Sequence, residues 1–186
     1  MKLPPVLKTE RLTIRPFRQT DLEPFLEFML DRIVTEYLNF SKYHKTKKGA
    51  IELFHSVLKS YDSPQPIIAL VIAAKDTDVF VGSCGLAPLE NHTCECYYSL
   101  RPQFWRNGYA TEAMSKLFEH AFRETELKEI RAYTSTANFR GSRVAERLGM
   151  KYMGITKYKE TGLNGRLYII TNEDYFSRGS FVKNKE

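Results

Sequence analysis

The sequence predicts a mixed α/β (α+β) domain whose sheet is antiparallel in most of its strands. Three observations predict it. Between residues 67 and 100, short β-rich runs alternate with turn residues. From Ala110 an apolar stripe repeats at i, i+3, i+4, i+7, i+8, i+11 and i+12, through Ala113, Met114, Leu117, Phe118, Ala121 and Phe122. After that helix the chain returns to strand patterns around Gly162-Leu163-Asn164-Gly165. At 186 residues the chain fits a single domain over 1–186, with its core over about 9–176.

The elements follow in order. After Pro4-Pro5, Leu12-Thr13-Ile14 alternates as a strand closed by Pro16. Thr20-Asp21-Leu22-Glu23 reads as a capping box that opens a helix with Leu22, Phe25, Leu26 and Met29 on one face. A second helix runs from about Thr46 to Tyr61. Strands are expected at Ile67–Ala74, Val79–Leu86 and Cys94–Leu100, with Asp76-Thr77-Asp78 as the turn between the first two. Beyond the Ala110 helix come a strand over Glu129–Ser135 and a short helix over Ser142–Leu148 ended by Gly149. Two closing strands, Lys151–Lys159 and Arg166–Asn172, complete the pattern.

Composition narrows the function classes. Hydrophobic residues at 42% and charged residues at 27% are ordinary for a globular core, which excludes disordered and collagen-like chains. No apolar run reaches the roughly 18 residues of a membrane helix, and the N-terminal segment lacks the h-region of a secretory signal. A cytoplasmic protein without membrane association is expected. Three cysteines, Cys84, Cys94 and Cys96, are an odd number without metal-site spacing, so neither a disulfide framework nor a structural metal is expected. Net charge is +6, yet residues 51–100 carry 2 basic and 6 acidic side chains. The basic total alone selects no partner, and without aromatic-basic motifs direct nucleic-acid binding is not expected.

The chemistry concentrates in Leu100-Arg101-Pro102-Gln103-Phe104-Trp105-Arg106-Asn107-Gly108-Tyr109-Ala110-Thr111-Glu112-Ala113, which joins a strand to the strongest helix. The first amides of a helix lack internal partners and carry the positive end of the helix dipole. A small residue such as Gly108 lets an anion approach them, although a glycine before a helix is equally ordinary turn chemistry. Neither G-x-x-x-x-G-K-[ST] nor G-x-G-x-x-G is present, which excludes the P-loop and dinucleotide readings.

Trp105-x-x-Gly108-x-Ala110, followed by Thr111-Glu112-Ala113, resembles the acyl-CoA loop of the GNAT superfamily of N-acetyltransferases. Glu10-Arg11-Leu12-Thr13-Ile14-Arg15-Pro16 resembles the first strand of its branch of ribosomal-protein N-terminal (Rim-type) acetyltransferases. Asn138, followed by Val144-Ala145-Glu146-Arg147-Leu148-Gly149-Met150, resembles the second cofactor motif. The resemblance implies a twisted sheet of about six or seven strands, the fourth and fifth splayed apart, flanked by about four helices. It implies acetyl-CoA, or coenzyme A, as co-substrate, with no metal. Backbone groups of Ser99 and Leu100 would meet the pantetheine arm. The loop Trp105, Arg106, Asn107, Gly108, Tyr109, Ala110 and Thr111 would hold the pyrophosphate, and Asn138 and Arg140 would complete the cofactor set. Two positions depart from the pattern. Arg106 replaces a frequent glycine, and Gly141 replaces a frequent serine, so the cap of the following helix is absent or comes from Ser142.

On the acceptor side Glu95 is the first candidate base. It shares a strand face with Tyr97 and Ser99 and matches a position where this branch often has glutamate. Tyr98 points to the other face with Cys94, Cys96 and Leu100. His92, in the turn Glu90-Asn91-His92, is a weaker alternative. His44, His55 and His120 fit surfaces, and Cys84 and Cys96 fit small buried hydrophobes rather than acyl carriers. Lys42-x-His44-Lys45-x-Lys47-Lys48 reads as a solvated loop and helix start. The expected reaction is direct attack of a primary amine on acetyl-CoA in a ternary complex, the oxyanion held by a backbone amide near Leu100. The favoured acceptor is a protein or peptide N-terminal α-amine, including a ribosomal or other basic protein N-terminus. The alternatives are a polyamine or antibiotic-like amine, or a non-catalytic acyl-CoA sensor. The chain is expected to be a monomer or homodimer.

Overall fold

The computed structural model describes residues 1–158 and 162–177, and the helical backbone of 178–182. The chain forms two compact units, one of Met1–Leu86 with Tyr97–Leu117, the other of Ala87–Cys96 with Phe118–Glu186. Among the described residues eight strands follow the order β1-β2-β3-β4-β5-β6-β8-β7.

In the first unit β1 (Leu7–Lys8) and β2 (Leu12–Pro16) pair antiparallel, with Leu7 opposite Ile14. β2 pairs antiparallel with β3 (Ile68–Ala74), which pairs in turn with β4 (Phe80–Pro88). Helices α1 (Leu22–Leu30), α2 (Arg32–Thr35) and α3 (Lys47–Ser60) lie between β2 and β3 in the chain. The core sets Phe17, Phe25 and Phe54 rings 5.3 to 5.8 Å apart, with Phe28, Met29, Val71 and Phe80 beside them. Such aromatic clusters dominate core energetics because each ring removes a large apolar area from water.

Asp21, and not Thr20, is the N-cap residue of α1, and its carboxylate bonds back to the preceding 3-10 turn rather than capping the helix. The Arg18 amide donates to Asp21 Oδ2 at 2.7 Å, and a 3-10 turn over Gln19–Asp21 precedes α1. Asp21 is spoken for by a second task. Arg15, 2% exposed, donates to it at 2.7 and 2.9 Å and to Asp78 at 2.9 and 3.0 Å. A buried guanidinium needs such pairing, and it ties β2 to the 3-10 turn through Asp21 and to the β3–β4 turn through Asp78. Thr46 does cap α3, accepting from the Gly49 amide at 3.2 Å.

β5 (Thr93–Leu100) enters the first unit at Tyr97, and the Arg101 amide donates to Val81 O at 2.9 Å. In the second unit its first residues run parallel to β6 (Glu129–Ser135), pairing Thr93 with Glu129, Cys94 with Ile130 and Glu95 with Arg131. The last pair of that ladder is Glu95 with Arg131. β6 continues antiparallel with β8 (Asn164–Thr171), from Glu129 opposite Thr171 to Ser135 opposite Gly165. Among the described residues β7 (Lys151–Lys157) pairs with β8 alone and forms the edge.

The helix expected from Ala110 is α4 (Tyr109–Glu124). Ala113, Met114, Leu117, Phe118, Ala121 and Phe122 are all buried, and Ala110 is half-buried in the first turn. The short helix starts earlier than Ser142: α5 spans Phe139–Arg147 and Asn138 is its N-cap. The last strands end sooner than expected, because Asn172 opens a further helix, α6 (Asn172–Val182). Lys159, the expected end of the penultimate strand, lies outside the described residues.

Candidate functional site

The segment from Leu100 to Ala113 lies in the first unit. After β5 a 3-10 turn over Pro102–Phe104 reverses the chain, with the Trp105 amide donating to Pro102 O at 3.1 Å. The Trp105 indole donates to Leu100 O at 2.8 Å, and Asn107 Nδ2 to Trp105 O at 3.2 Å. Trp105 and Asn107 thus brace the loop from within. Ser99 Oγ donates to Val34 O at 3.1 Å, which fixes its hydroxyl toward α2.

Two residues of the loop have left-handed backbones, Arg106 at φ 64 and Gly108 at φ 78. The position where the superfamily often carries glycine therefore keeps the glycine-like conformation with an arginine in it, at a strain of about 1–2 kcal/mol. Gly108 then closes the turn, and its carbonyl accepts the first helical bond of α4 from the Glu112 amide at 3.0 Å. The amides of Tyr109, Ala110 and Thr111 precede that bond and have no partner within the helix. Thr111 Oγ1 is buried and unpaired among the described residues.

A clamp that the sequence did not reveal holds this turn. Thr9 Oγ1 donates to Glu112 Oε1 at 2.6 Å, the Arg11 amide donates to the same oxygen at 3.0 Å, and Arg11 Nε donates to Glu112 Oε2 at 2.7 Å. The Arg11 guanidinium lies 4.7 Å from the centroid of the Tyr109 ring. Burial opposes ionisation of Glu112, but the Thr9 hydroxyl, Arg11 amide and Arg11 guanidinium outweigh it and hold the carboxyl below the ordinary carboxylate range.

In the second unit Glu95 is half-buried, and Tyr158 donates from its hydroxyl to Glu95 Oε2 at 2.9 Å. The Tyr133 and Tyr158 rings sit 4.8 Å apart. Asn138 Oδ1 accepts from the Gly141 amide at 2.9 Å, so the helix cap comes from Asn138 and not from Ser142. A Cβ at Gly141 would lie 2.8 Å from Asn138 Nδ2, so a side chain there would press on the Asn138 amide that caps the helix. Ser142 instead shares a 3.1 Å contact with Thr134 Oγ1. Arg140 is exposed.

The remaining candidates fall into place. His92 lines an open cleft of about 800 Å³ with Glu126, Lys128 and Asn172, a lining that includes neither Glu95 nor Tyr158. Its Nδ1 is 3.7 Å from Glu126. All three cysteines are buried, and burial pushes the Cys84 thiol up to about 12 and Cys94 to about 11. Thiols so protonated are poor nucleophiles. In the basic cluster Lys45 donates to Thr35 O at 2.8 Å, and Lys47 and Lys48 start α3 with exposed side chains.

The described chain thus combines a mixed sheet, a short parallel ladder and a braced glycine loop that opens a helix. Residues 11–151 match the acetyltransferase (GNAT) domain, and the chain belongs to that family. An uncharacterized N-acetyltransferase, p20 of Bacillus licheniformis, is 27% identical over 165 residues, which cover 87% of this chain and 90% of that one. Among solved structures, a GNAT-family acetyltransferase from Bacillus anthracis superimposes with TM-score 0.78 at 24% identity, over 91% of this chain and 99% of the other. RimL, a ribosomal L7/L12 alpha-N-protein acetyltransferase solved in complex with coenzyme A, superimposes with TM-score 0.76 at 14% identity, over 91% of this chain and 99% of its own. The protein is an acetyltransferase of the GNAT fold.

Proposed function

We propose that the chain transfers an acetyl group from acetyl-CoA to a primary amine by direct attack in a ternary complex, and that the favoured amine is a protein or peptide N-terminal α-amine. The observation that carries the cofactor reading is the loop: left-handed Arg106 and Gly108, three helix-start amides, and the buried, unpaired Thr111 hydroxyl beside them. A polar ligand at this turn offers that hydroxyl a partner it otherwise lacks, so these residues fit the pyrophosphate of the cofactor. Arg106 through Thr111 would hold that group, and backbone groups of Ser99 and Leu100, with Asn138 and Arg140, the rest. Bound acetyl-CoA supplies the acyl group as a thioester. Glu95 takes the proton that the amine must lose, directly or through water.

The acceptor preference rests on deprotonation. An α-amine titrates near 7.7–8.0 and lysine near 10.4, a gap of about 2.5 units, or roughly 3.4 kcal/mol. A partly exposed carboxylate suffices for the first amine more readily than for the second. The fold likeness to RimL supports the same reading. The test compares kcat/KM for one basic peptide with a free N-terminus against its N-terminally blocked, lysine-containing twin. The free peptide is expected to react at least about tenfold faster. Equal rates, or a preference for the blocked peptide, transfer the assignment to a lysine side chain or a small-molecule amine.

A further inference from the structure

We propose that Tyr158 is a positioning residue for the Glu95 carboxylate, fixing its orientation and holding it ionised for proton transfer. The inference rests on the proposed role of Glu95 as base. Tyr158 follows β7 and is anchored at its backbone: its amide donates to Leu163 O at 2.9 Å and its carbonyl accepts from the Gly162 amide at 2.7 Å. Its ring is set by Tyr133, 4.8 Å away on β6. The hydroxyl then reaches Glu95 Oε2 at 2.9 Å, across 63 residues of sequence. A phenol held at its backbone and ring loses little entropy on making this bond.

The ladder explains why a tyrosine is needed. Glu95 is the register partner of Arg131, so the two share a sheet face and a direct ion pair is the simplest expectation. Arg131 is instead turned to Glu129, with Nε to Oε1 at 2.5 Å, and Tyr133 is a second partner. Among the described residues, alternation and register place Tyr97 of β5, Glu129, Arg131 and Tyr133 of β6 and Lys151 of β7 on this face, with Tyr158 just after β7. With Arg131 turned to its own strand, the Tyr158 hydroxyl is a donor that does reach Glu95. A hydroxyl donating to a carboxylate favours the charged form.

The experiment measures kcat/KM for the amine across pH, with KM for acetyl-CoA, in wild type, Tyr158→Phe, Tyr158→Leu, Glu95→Gln and the Glu95→Gln/Tyr158→Phe double variant. Tyr158→Phe keeps the ring and removes the donor. Its acid limb is expected to move up by about one pH unit, with a roughly tenfold lower rate below the limb and KM for acetyl-CoA within about twofold. Tyr158→Leu, which also loses the ring, is expected to move the limb at least as far. In the Glu95→Gln background, Tyr158→Phe is expected to change the rate less than about twofold. An unmoved limb in both Tyr158 variants, or full additivity in the double variant, overturns the positioning role while leaving Glu95 as base. Wild-type turnover by Glu95→Gln overturns the base assignment itself, and the positioning role with it.

Discussion

Gly108 is the residue on which the cofactor reading turns most directly. A Cβ there would meet only Arg11 Nη2, at 3.6 Å, which is ordinary contact, so the free protein does not exclude a side chain by crowding. The obstacle is φ 78, which costs a β-branched residue about 1–2 kcal/mol or more. Gly108→Val is expected to relax the turn, move the helix-start amides and weaken acetyl-CoA binding by at least about tenfold. Gly108→Asn, which tolerates the left-handed region, is expected to lose less. Titration calorimetry of the folded variants decides this, and an unchanged affinity in Gly108→Val removes the loop from the cofactor site. Gly108 was legible in the sequence because a small residue stood just before the clearest apolar stripe. Arg11 and Tyr158 were not, because their partners lie 101 and 63 residues away and no local period reports such a pairing.

Secondary elements were legible in proportion to their periodicity. α4 begins one residue before its predicted start, and β6 has its predicted bounds, because one shows an unbroken 3.6-residue stripe and the other strict alternation. β1 and α2 escaped because two and four residues carry no period. α6 did have a local signal: Thr171 Oγ1 accepts from the Asp174 amide at 3.1 Å, a cap readable in Thr171-Asn172-Glu173-Asp174. The continued strand pattern of the preceding residues masked it. One element held by a remote contact is α4, which Glu112 pins to Thr9 and Arg11 in the turn between β1 and β2. The lowered pKa of Glu112 gives a signed expectation. A carboxyl depressed in the folded state adds stability that is present above its unfolded value, near 4.3, and is lost as pH falls through the folded value. The urea midpoint of wild type is therefore expected to fall more steeply below about pH 5 than that of Glu112→Gln, which lacks this titration. Above pH 6 the variant is expected to be the less stable of the two. Parallel curves across that range would show that the clamp adds nothing to stability.

Charge acts over the whole molecule. The chain carries +6, although residues 51–100 hold 6 acidic and 2 basic side chains, so its field is not uniform. Acetyl-CoA is a polyanion through its phosphates, and a net positive protein raises its encounter rate by long-range attraction. Salt shortens the reach of that field, to about 10 Å at 0.1 M. With acetyl-CoA as the co-substrate, kcat/KM for it is expected to fall steadily as ionic strength rises from low values to about 0.3 M. Arg106 is exposed in the loop itself, so Arg106→Gln removes one charge near the proposed pyrophosphate position without altering a buried contact. That variant is expected to show a flatter salt dependence and to converge on wild type at high salt, where the lost attraction no longer operates. A neutral peptide acceptor has no such field to follow, and its kcat/KM is expected to change less over the same range. A salt-independent kcat/KM for acetyl-CoA, with Arg106→Gln lower than wild type by a constant factor, would place the effect of Arg106 in the backbone of the turn. Its left-handed φ of 64, and not its charge, would then be what the loop requires.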